Sequence, residues 1–273
     1  MSFASAGVIG WPVAHSKSPL IHRFWLAKLG MDGDYGRFAV APEHLGAAIR
    51  ALPALGLCGV NVTAPHKVEV MRYLDHVAPL AARVGAVNAV VIEDEMLGGY
   101  NTDIDGVGEA LRGIDLSGSS IVIVGAGGAA RAAFAALAGA RQAGIWVVSR
   151  DPQRAAETAR EFDIAGIGVP MAGIAGCFAT ADLIINASPR GMRGQPEFAP
   201  DVLSALVGPA TTVFDMVYAP LETPLLAAAR ERGLRTIDGL RMLVGQAAAA
   251  FELFFGTPAP REHDAELRAL LTA

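Results

Sequence analysis

Short apolar runs bounded by turn residues, Gly7-Val8-Ile9-Gly10 and Leu57-Cys58-Gly59-Val60-Asn61-Val62 among them, alternate with helical patterns through the first hundred residues. That rhythm predicts βαβ units and a parallel sheet. The first helix is expected to take Ser18 as its N-cap and Pro19 as its first residue, to carry Leu20, Phe24 and Ala27 on its apolar side, and to stop at Gly30. Residues 86–92 and 95–100 flank an acidic turn and predict a hairpin, which makes the first sheet mixed.

A second unit is expected from about residue 105, where a helix up to Arg112 leads through Gly113 and Gly118 into Ile121-Val122-Ile123-Val124. Further strands are expected at 144–148, 182–186, 211–215 and 235–238, a doubly wound nucleotide-binding pattern. Beyond Asp238 the chain reads as helix, 239–255 and then 260–271, and this tail is expected to pack back on the first domain. The fold class is therefore α/β with two domains. A mixed substrate-binding domain covers 1–104 and is completed by the helices of 239–273, and a Rossmann-type domain covers 105–238. The longest uncharged stretch, 164–181, is broken by Gly166, Gly168, Pro170, Gly173 and Gly176, and reads as two short elements and a turn rather than a membrane span.

Composition narrows the partners. The 273 residues are 52% hydrophobic and 18% charged, with 22 Lys+Arg against 27 Asp+Glu, so disordered and fibrous classes fall away. Without a basic block the chain offers no footprint for nucleic acid or an anionic membrane, and small-molecule ligands are expected. Cys58 and Cys177 stand far apart with no partner at metal-ligand spacing, so neither a disulfide framework nor a metal site is expected. The first ten residues carry no basic and apolar leader pattern, and the expected place is the cytoplasm, as a monomer or a homodimer.

Gly125-Ala126-Gly127-Gly128-Ala129 follows a strand directly and opens a helix to Leu137, the arrangement in which backbone N–H groups and a helix dipole meet a pyrophosphate. At the tip of the next strand, Ser149-Arg150-Asp151-Pro152-Gln153-Arg154 presents two arginines where a ribose 2′-phosphate would lie, which favours NADP over NAD. Asp151 either opposes that phosphate or caps the helix that Pro152 starts.

Lys67, in Asn61-Val62-Thr63-Ala64-Pro65-His66-Lys67, is placed in the opening turn of a helix. There the dipole either shifts its acidity toward proton-transfer chemistry or the ammonium is simply solvated. Asp103, after Asn101 and Thr102, stands where the hairpin ends and the linking helix begins. Asp103 or Thr102 caps that helix, or the carboxylate pairs with Lys67 at the mouth of a cleft. Ser16 and Ser18 lie at the carboxyl edge of the first sheet, where ligands of open α/β sheets bind. Gln246, in the stripe Met242, Gln246, Ala249 and Leu253, is a buried amide that needs partners.

Taken in order and spacing, Gly10-Trp11-Pro12 through His15-Ser16-Lys17-Ser18-Pro19, the Asn61 to Lys67 run, Gly85-Ala86-Val87-Asn88, Gly99-Tyr100-Asn101-Thr102-Asp103, the glycine turn, Asp215-Met216-Val217-Tyr218 and Met242 to Ala248 resemble the shikimate dehydrogenase family over essentially the whole chain. The resemblance implies NADP-dependent interconversion of 3-dehydroshikimate and shikimate, a step of chorismate and aromatic amino-acid biosynthesis. It implies Lys67 and Asp103 as the catalytic pair, with Ser16, Ser18, Thr63, Asn88, Tyr218 and Gln246 holding the substrate's carboxylate and hydroxyls. It also implies a cofactor site of Gly125, Ala126, Gly127, Gly128, Ala129, Ser149, Arg150, Arg154, Asn186, Met216 and Gly239. Ser149 and Asp151 depart from the Asn and Thr usual in the family's basic motif, Ala89 stands where Thr is usual, and Ser188-Pro189-Arg190 varies the loop after Asn186. Two other readings remain beside this one: a quinate/shikimate dehydrogenase of dual specificity using NAD, and a non-catalytic NADP-binding sensor. Retention of both Lys67 and Asp103 argues against the sensor.

Overall fold

A computed structural model describes residues 3–206 and 211–273. The chain forms two compact units, Met1–Thr102 with Gln246–Ala273, and Asp103–Gly245.

The first unit contains β1 (Ala4–Gly10), α1 (Ser18–Lys28), β2 (Gly33–Ala39), α2 (Leu45–Ala51), β3 (Leu57–Val62), β4 (His76–Val77), α3 (Pro79–Val84), β5 (Ala89–Glu93) and β6 (Met96–Tyr100). Its sheet has the order β2-β1-β3-β5-β6-β4. β1 runs parallel to β2 and β3, and β5 runs antiparallel to β3 and β6, which is the mixed sheet expected. Asp94 and Glu95 connect β5 to β6 with φ of 50° and 66°, the left-handed pair that matches the twist of a two-residue hairpin. Alternation along the strands sorts the core. Ala6, Val8, Ala89 and Val91 pack on one face with Phe254, while Ile9, Val60, Val62 and Val90 pack on the other with Leu45 and Ile49 of α2.

α1 differs from expectation in two ways. Lys17 is the N-cap and Ser18 is already helical, with Pro19 behind it and no side-chain cap bond. Its buried face is Ser18, Ile21, His22 and Trp25, spaced i, i+3, i+4, i+7, whereas Leu20 is 39% exposed and Ala27 faces solvent. A histidine on the core side hid that stripe. The stop at Gly30 is as expected, with φ of +61°.

The second unit contains α4 (Asp103–Ala110), β7 (Ser120–Val124), α5 (Gly128–Leu137), β8 (Gly144–Ser149), α6 (Pro152–Arg160), β9 (Gly166–Pro170), α7 (Ile174–Thr180), β10 (Leu183–Asn186), α8 (Pro200–Ser204), β11 (Thr212–Asp215), α9 (Pro224–Glu231) and β12 (Arg235–Ile237). All six strands are parallel in the order β12-β11-β10-β7-β8-β9. Strand order therefore reverses between β7 and β10, the switch point where such sheets bind ligands. Five of these strands are the expected ones. β9 is additional: its Gly-Ile-Gly-Val-Pro sequence is too poor in apolar alternation to stand out, and it survives because an edge strand tolerates glycine and proline.

α10 (Gly239–Phe255) begins in the second unit and ends in the first, and α11 (Asp264–Thr272) closes the chain. In the first unit Lys28 pairs with Glu266 at 2.6 Å, and the Lys17 ammonium donates to the Leu271 carbonyl. Among the described residues no helix is long and apolar enough to cross a membrane.

Candidate active site

The first site is built where three segments of the first unit meet: the loop after β3, the approach to β5 and the end of β6. The Lys67 carbonyl accepts from Val87 N at 2.8 Å. The next residue, Asn88, donates its backbone N–H to the Tyr100 carbonyl at 3.0 Å, and its side-chain oxygen accepts from Thr102 N at 2.7 Å. Its amide nitrogen also donates to the Thr102 hydroxyl at 3.0 Å. Asp103 follows in the chain. Asn88, at 2% exposure, thus fixes the backbone that carries Asp103 as Val87 fixes the backbone that carries Lys67. The Thr102 hydroxyl is turned to Asn88, so it serves this network and not the cap of α4.

Lys67 itself is not in an α-helix. It lies in consecutive turns ahead of a short 3₁₀ stretch over Glu69–Tyr73, with Val70 N bonded to the His66 carbonyl at 2.9 Å. So short a stretch aligns few peptide dipoles, and Lys67 does not sit at the end of a helix macrodipole. Thr63, half-buried, opens the same loop and is held by its N–H to the Ile9 carbonyl at 2.9 Å.

On the loop after β1, half-buried Ser16 accepts from Ser18 N at 3.3 Å, and its carbonyl takes both Nε and Nη2 of Arg37, at 3.1 and 2.6 Å. Ser18 is buried in the first turn of α1. Gln246 is 9% exposed on α10; Met242, Ala249 and Leu253 beside it are only half-buried, flanking the fully buried Ala247, Ala250 and Phe251.

The second site is a cleft of about 840 Å³ in the second unit, lined by Gly125–Ala129, Ser149, Arg150, Asp151 and Arg154, with Ser188 and Arg190. Gly125 has φ of +114°, and a Cβ there would stand 2.9 Å from the Ala187 carbonyl oxygen, so only glycine allows the chain to turn beside that strand end. A Cβ on Gly127 or Gly128 would meet nothing within 4 Å. Space bordered by the first N–H groups of α5 fits a pyrophosphate. Two arginines at the tip of β8 fit a further phosphate.

Asp151 is the N-cap of α6, accepting from Arg154 N at 3.1 Å, the capping alternative read from the sequence. The Ser149 hydroxyl donates to the Asp151 carbonyl at 2.6 Å and accepts from Asp151 N at 3.1 Å, so it shapes the turn and has little left for a ligand.

Three other sequence-assigned cofactor residues are not among those lining this cleft, though Asn186 bonds directly to Ser188 and Arg190, which are. Asn186 is fully buried; its amide donates to Asp215 at 2.9 Å and to the Arg190 carbonyl at 3.0 Å, and its oxygen accepts from Ser188 N and Oγ. Every bond it can make is used inside the protein, so it holds the 186–190 loop in shape. Gly239 lies against Met216, whose carbonyl oxygen a Cβ at 239 would strike, so glycine is required there for close approach. Tyr218 follows on the same segment, half-buried, with burial raising its phenol above the usual range.

Four residues without an assigned part in the sequence reading matter here. Asp215 accepts from Asn186, Val217 N and Thr223 Oγ1, and burial pushes its carboxyl up to about 6 against these bonds, which pull it down. Asn61 donates to the Asn88 carbonyl at 3.0 Å. Tyr35 donates to Asn61 at 2.6 Å. Arg190 lines the same cleft, with Nη1 on the Glu197 carbonyl at 2.8 Å and its guanidinium 5.7 Å from the Phe198 ring. Arg190 is the one readable in advance, as a third cation on a loop at the strand ends.

Family models match three stretches: a shikimate dehydrogenase substrate binding domain over residues 8–90, shikimate / quinate 5-dehydrogenase over 108–190 and a shikimate 5'-dehydrogenase C-terminal domain over 239–266. A shikimate dehydrogenase (NADP(+)) of Sphingopyxis alaskensis is 48% identical over 272 residues, 98% of this chain and 97% of its own. The crystal structure of shikimate 5-dehydrogenase from Thermus thermophilus in complex with NADP(H) and shikimate superposes with a TM-score of 0.85 at 36% identity, covering 98% of this chain and 99% of that one. Quinate dehydrogenase from Corynebacterium glutamicum in complex with NAD gives 0.88 at 33% identity, covering 98% and 100%. The chain belongs to the shikimate dehydrogenase family.

Proposed function

We propose that this chain catalyses the reversible NADPH-dependent reduction of 3-dehydroshikimate to shikimate, with Lys67 and Asp103 as its acid/base pair. The observation that supports the assignment of the pair is that Val87 and Asn88 bond to the Lys67 carbonyl on one side and, on the other, to Tyr100 and Thr102, the residues that lead into Asp103. Bound NADPH supplies the reducing equivalents to the carbonyl carbon. The Lys67 ammonium donates a proton to the developing alkoxide oxygen, and Asp103 orients that ammonium and accepts from a neighbouring substrate hydroxyl. Ser16, Ser18, Thr63, Asn88, Tyr218 and Gln246 hold the carboxylate and the remaining hydroxyls.

In this reading residues 1–104 with 239–273 bind substrate and residues 105–238 bind cofactor. Gly125–Ala129 take the pyrophosphate; Arg150 and Arg154 take the 2′-phosphate, which makes NADP and not NAD the cofactor. The acidic balance without a basic block supports an enzyme that works without nucleic acid, and in this reading it acts in the cytoplasm as a monomer or homodimer. Initial rates of nicotinamide reduction with shikimate and NADP, then with quinate and NAD substituted in turn, test this. A fast rate confined to shikimate plus NADP is expected. A preference for NAD would overturn the arginine assignment, and equal rates on quinate would overturn the substrate.

A further inference from the structure

The loop after β10 brings a third arginine to the cleft of the glycine turn, and it is held differently from the other two. Arg150 and Arg154 are exposed, whereas Arg190 is half-buried. The Arg190 N–H donates to Ser188 Oγ at 3.3 Å, and its carbonyl accepts from the Asn186 amide at 3.0 Å. Gly191 N, next in the chain, closes the loop on the Pro196 carbonyl at 3.1 Å. The side chain is held as well, with Nη1 on the Glu197 carbonyl at 2.8 Å and the guanidinium 5.7 Å from the Phe198 ring. A guanidinium carries five N–H donors, so most of the fork is left for a ligand.

The charges lining the cleft are these three guanidinium groups and the carboxylate of Asp151, which is spent on the cap of α6. That excess of positive charge suits a ligand with more than one anionic group. Topology sorts the groups. In the order β10-β7-β8 the glycine turn follows the middle strand, Arg150 follows β8, and Arg190 follows β10. Neighbouring strands lie about 4.8 Å apart, so the ends of β8 and β10 are separated by roughly 10 Å with the turn between them. An anion at the tip of β8 meets Arg150 and Arg154. Arg190, tied back to its own loop, stands on the other side of whatever lies over the turn.

We infer that Arg190 binds the cofactor's pyrophosphate from the β10 side, strengthening NADP and NAD alike and taking no part in the choice between them. This rests on the reading of the cleft as the dinucleotide site. It also gives the buried Asn186 network an output, since the bonds from Asn186 to Ser188 and to the Arg190 carbonyl set where this guanidinium stands. A guanidinium held in place before the ligand arrives loses little side-chain freedom on binding.

Calorimetry of NADP and of NAD binding to the substrate-free protein tests it. Arg190→Met keeps an unbranched stem beside Phe198 and removes the charge. Kd is expected to rise about five- to tenfold for both dinucleotides, and NADP binding is expected to depend less steeply on salt, because one screened ionic contact is gone. Arg190→Lys keeps the charge without the fork and is expected to restore the wild-type salt dependence with part of the affinity. Arg154→Met is the contrast, with a loss for NADP and none for NAD. A loss in Arg190→Met confined to NADP would move Arg190 to the 2′-phosphate, and equal losses with an unchanged salt dependence would make it a prop for its loop. Either result, or unchanged affinities, overturns the inference. Should Arg190→Met fail to fold, Arg190→Gln, which keeps a donor for the Glu197 carbonyl, is read in the same way. Wild-type protein that binds neither dinucleotide would sink the cofactor reading itself, and the inference with it.

Discussion

Each unit carries an asparagine-centred hydrogen-bond network at the ligand end of its sheet, and the two are put to different use. Asn88 is bonded to Thr102 and Asn61, and through Asn61 to Tyr35, and the chain segments they tie together are those that bear Lys67 and lead into Asp103. Around Asn186 the partners are Asp215, Thr223, Ser188 and the Arg190 carbonyl, and what they fix is backbone: the loop at the phosphate cleft and, through Thr223 capping Leu226 N, the start of α9. A small hydroxylated ring is recognised by the placement of side chains, so its wall must be rigid and buried. A phosphate is recognised by N–H groups and charge, so its cleft needs a fixed backbone and open space.

The strongest way to break that comparison is to remove chemistry from the first network without touching the second. Lys67→Ala deletes the proposed proton donor while its backbone bond to Val87 stays. A fall in kcat of about 10²- to 10⁴-fold is expected, with the dissociation constant for NADP by calorimetry within about twofold. Equal losses in turnover and cofactor affinity would mean that the lysine supports the fold and not the reaction.

Charge enters the second network through a buried carboxylate, Asp215. Asp215 is raised from 3.8 to about 6, so its neutral form is favoured by folding. The stability this contributes is fully present below about pH 4 and is lost as pH rises through about 6, on the order of 2–3 kcal/mol at most. Urea unfolding of wild type and Asp215→Asn should therefore differ by an amount that changes between pH 4 and pH 7, wild type losing ground as pH rises. A difference constant over that range would assign the titration elsewhere. Asn88→Asp offers the converse test, since it should introduce pH dependence where wild type has none from that position.

How far each network could be read from sequence follows from its physics. Strands announced themselves because β3, β7 and β8 are dense apolar runs between turn residues, and the glycine turn because it sits between a strand and a helix. β9 did not, being short and glycine-rich at an edge, and α1 concealed its core side behind His22. Lys67, Asp103, Asn88 and the arginines were legible as motif residues. Tyr35, Asn61 and Asp215 were not, because their partners lie 26, 27, 29 and 8 positions away and no local spacing encodes such bonds. That Asn186 spends one of its amide protons on Asp215, 29 positions away, was hidden for the same reason.

The mildest probe concerns Asp151, where the two demands of the second site collide. Its carboxylate caps α6 by accepting from Arg154 N at 3.1 Å, an N-terminal position that favours negative charge, yet it shares the cleft with the arginines proposed to hold a phosphate. Asp151→Asn keeps an acceptor of the same shape for the cap and removes the charge. If the phosphate lies there, KM for NADP should fall about two- to threefold while KM for NAD stays put, the gain shrinking as salt rises because the site is open to solvent. The same fall for both cofactors would point to a better-shaped turn instead of a lifted repulsion. A rise for both would show that the charge on the cap, by steadying the N-terminus of α6 and with it Arg154, matters more to the cleft than its repulsion of the ligand.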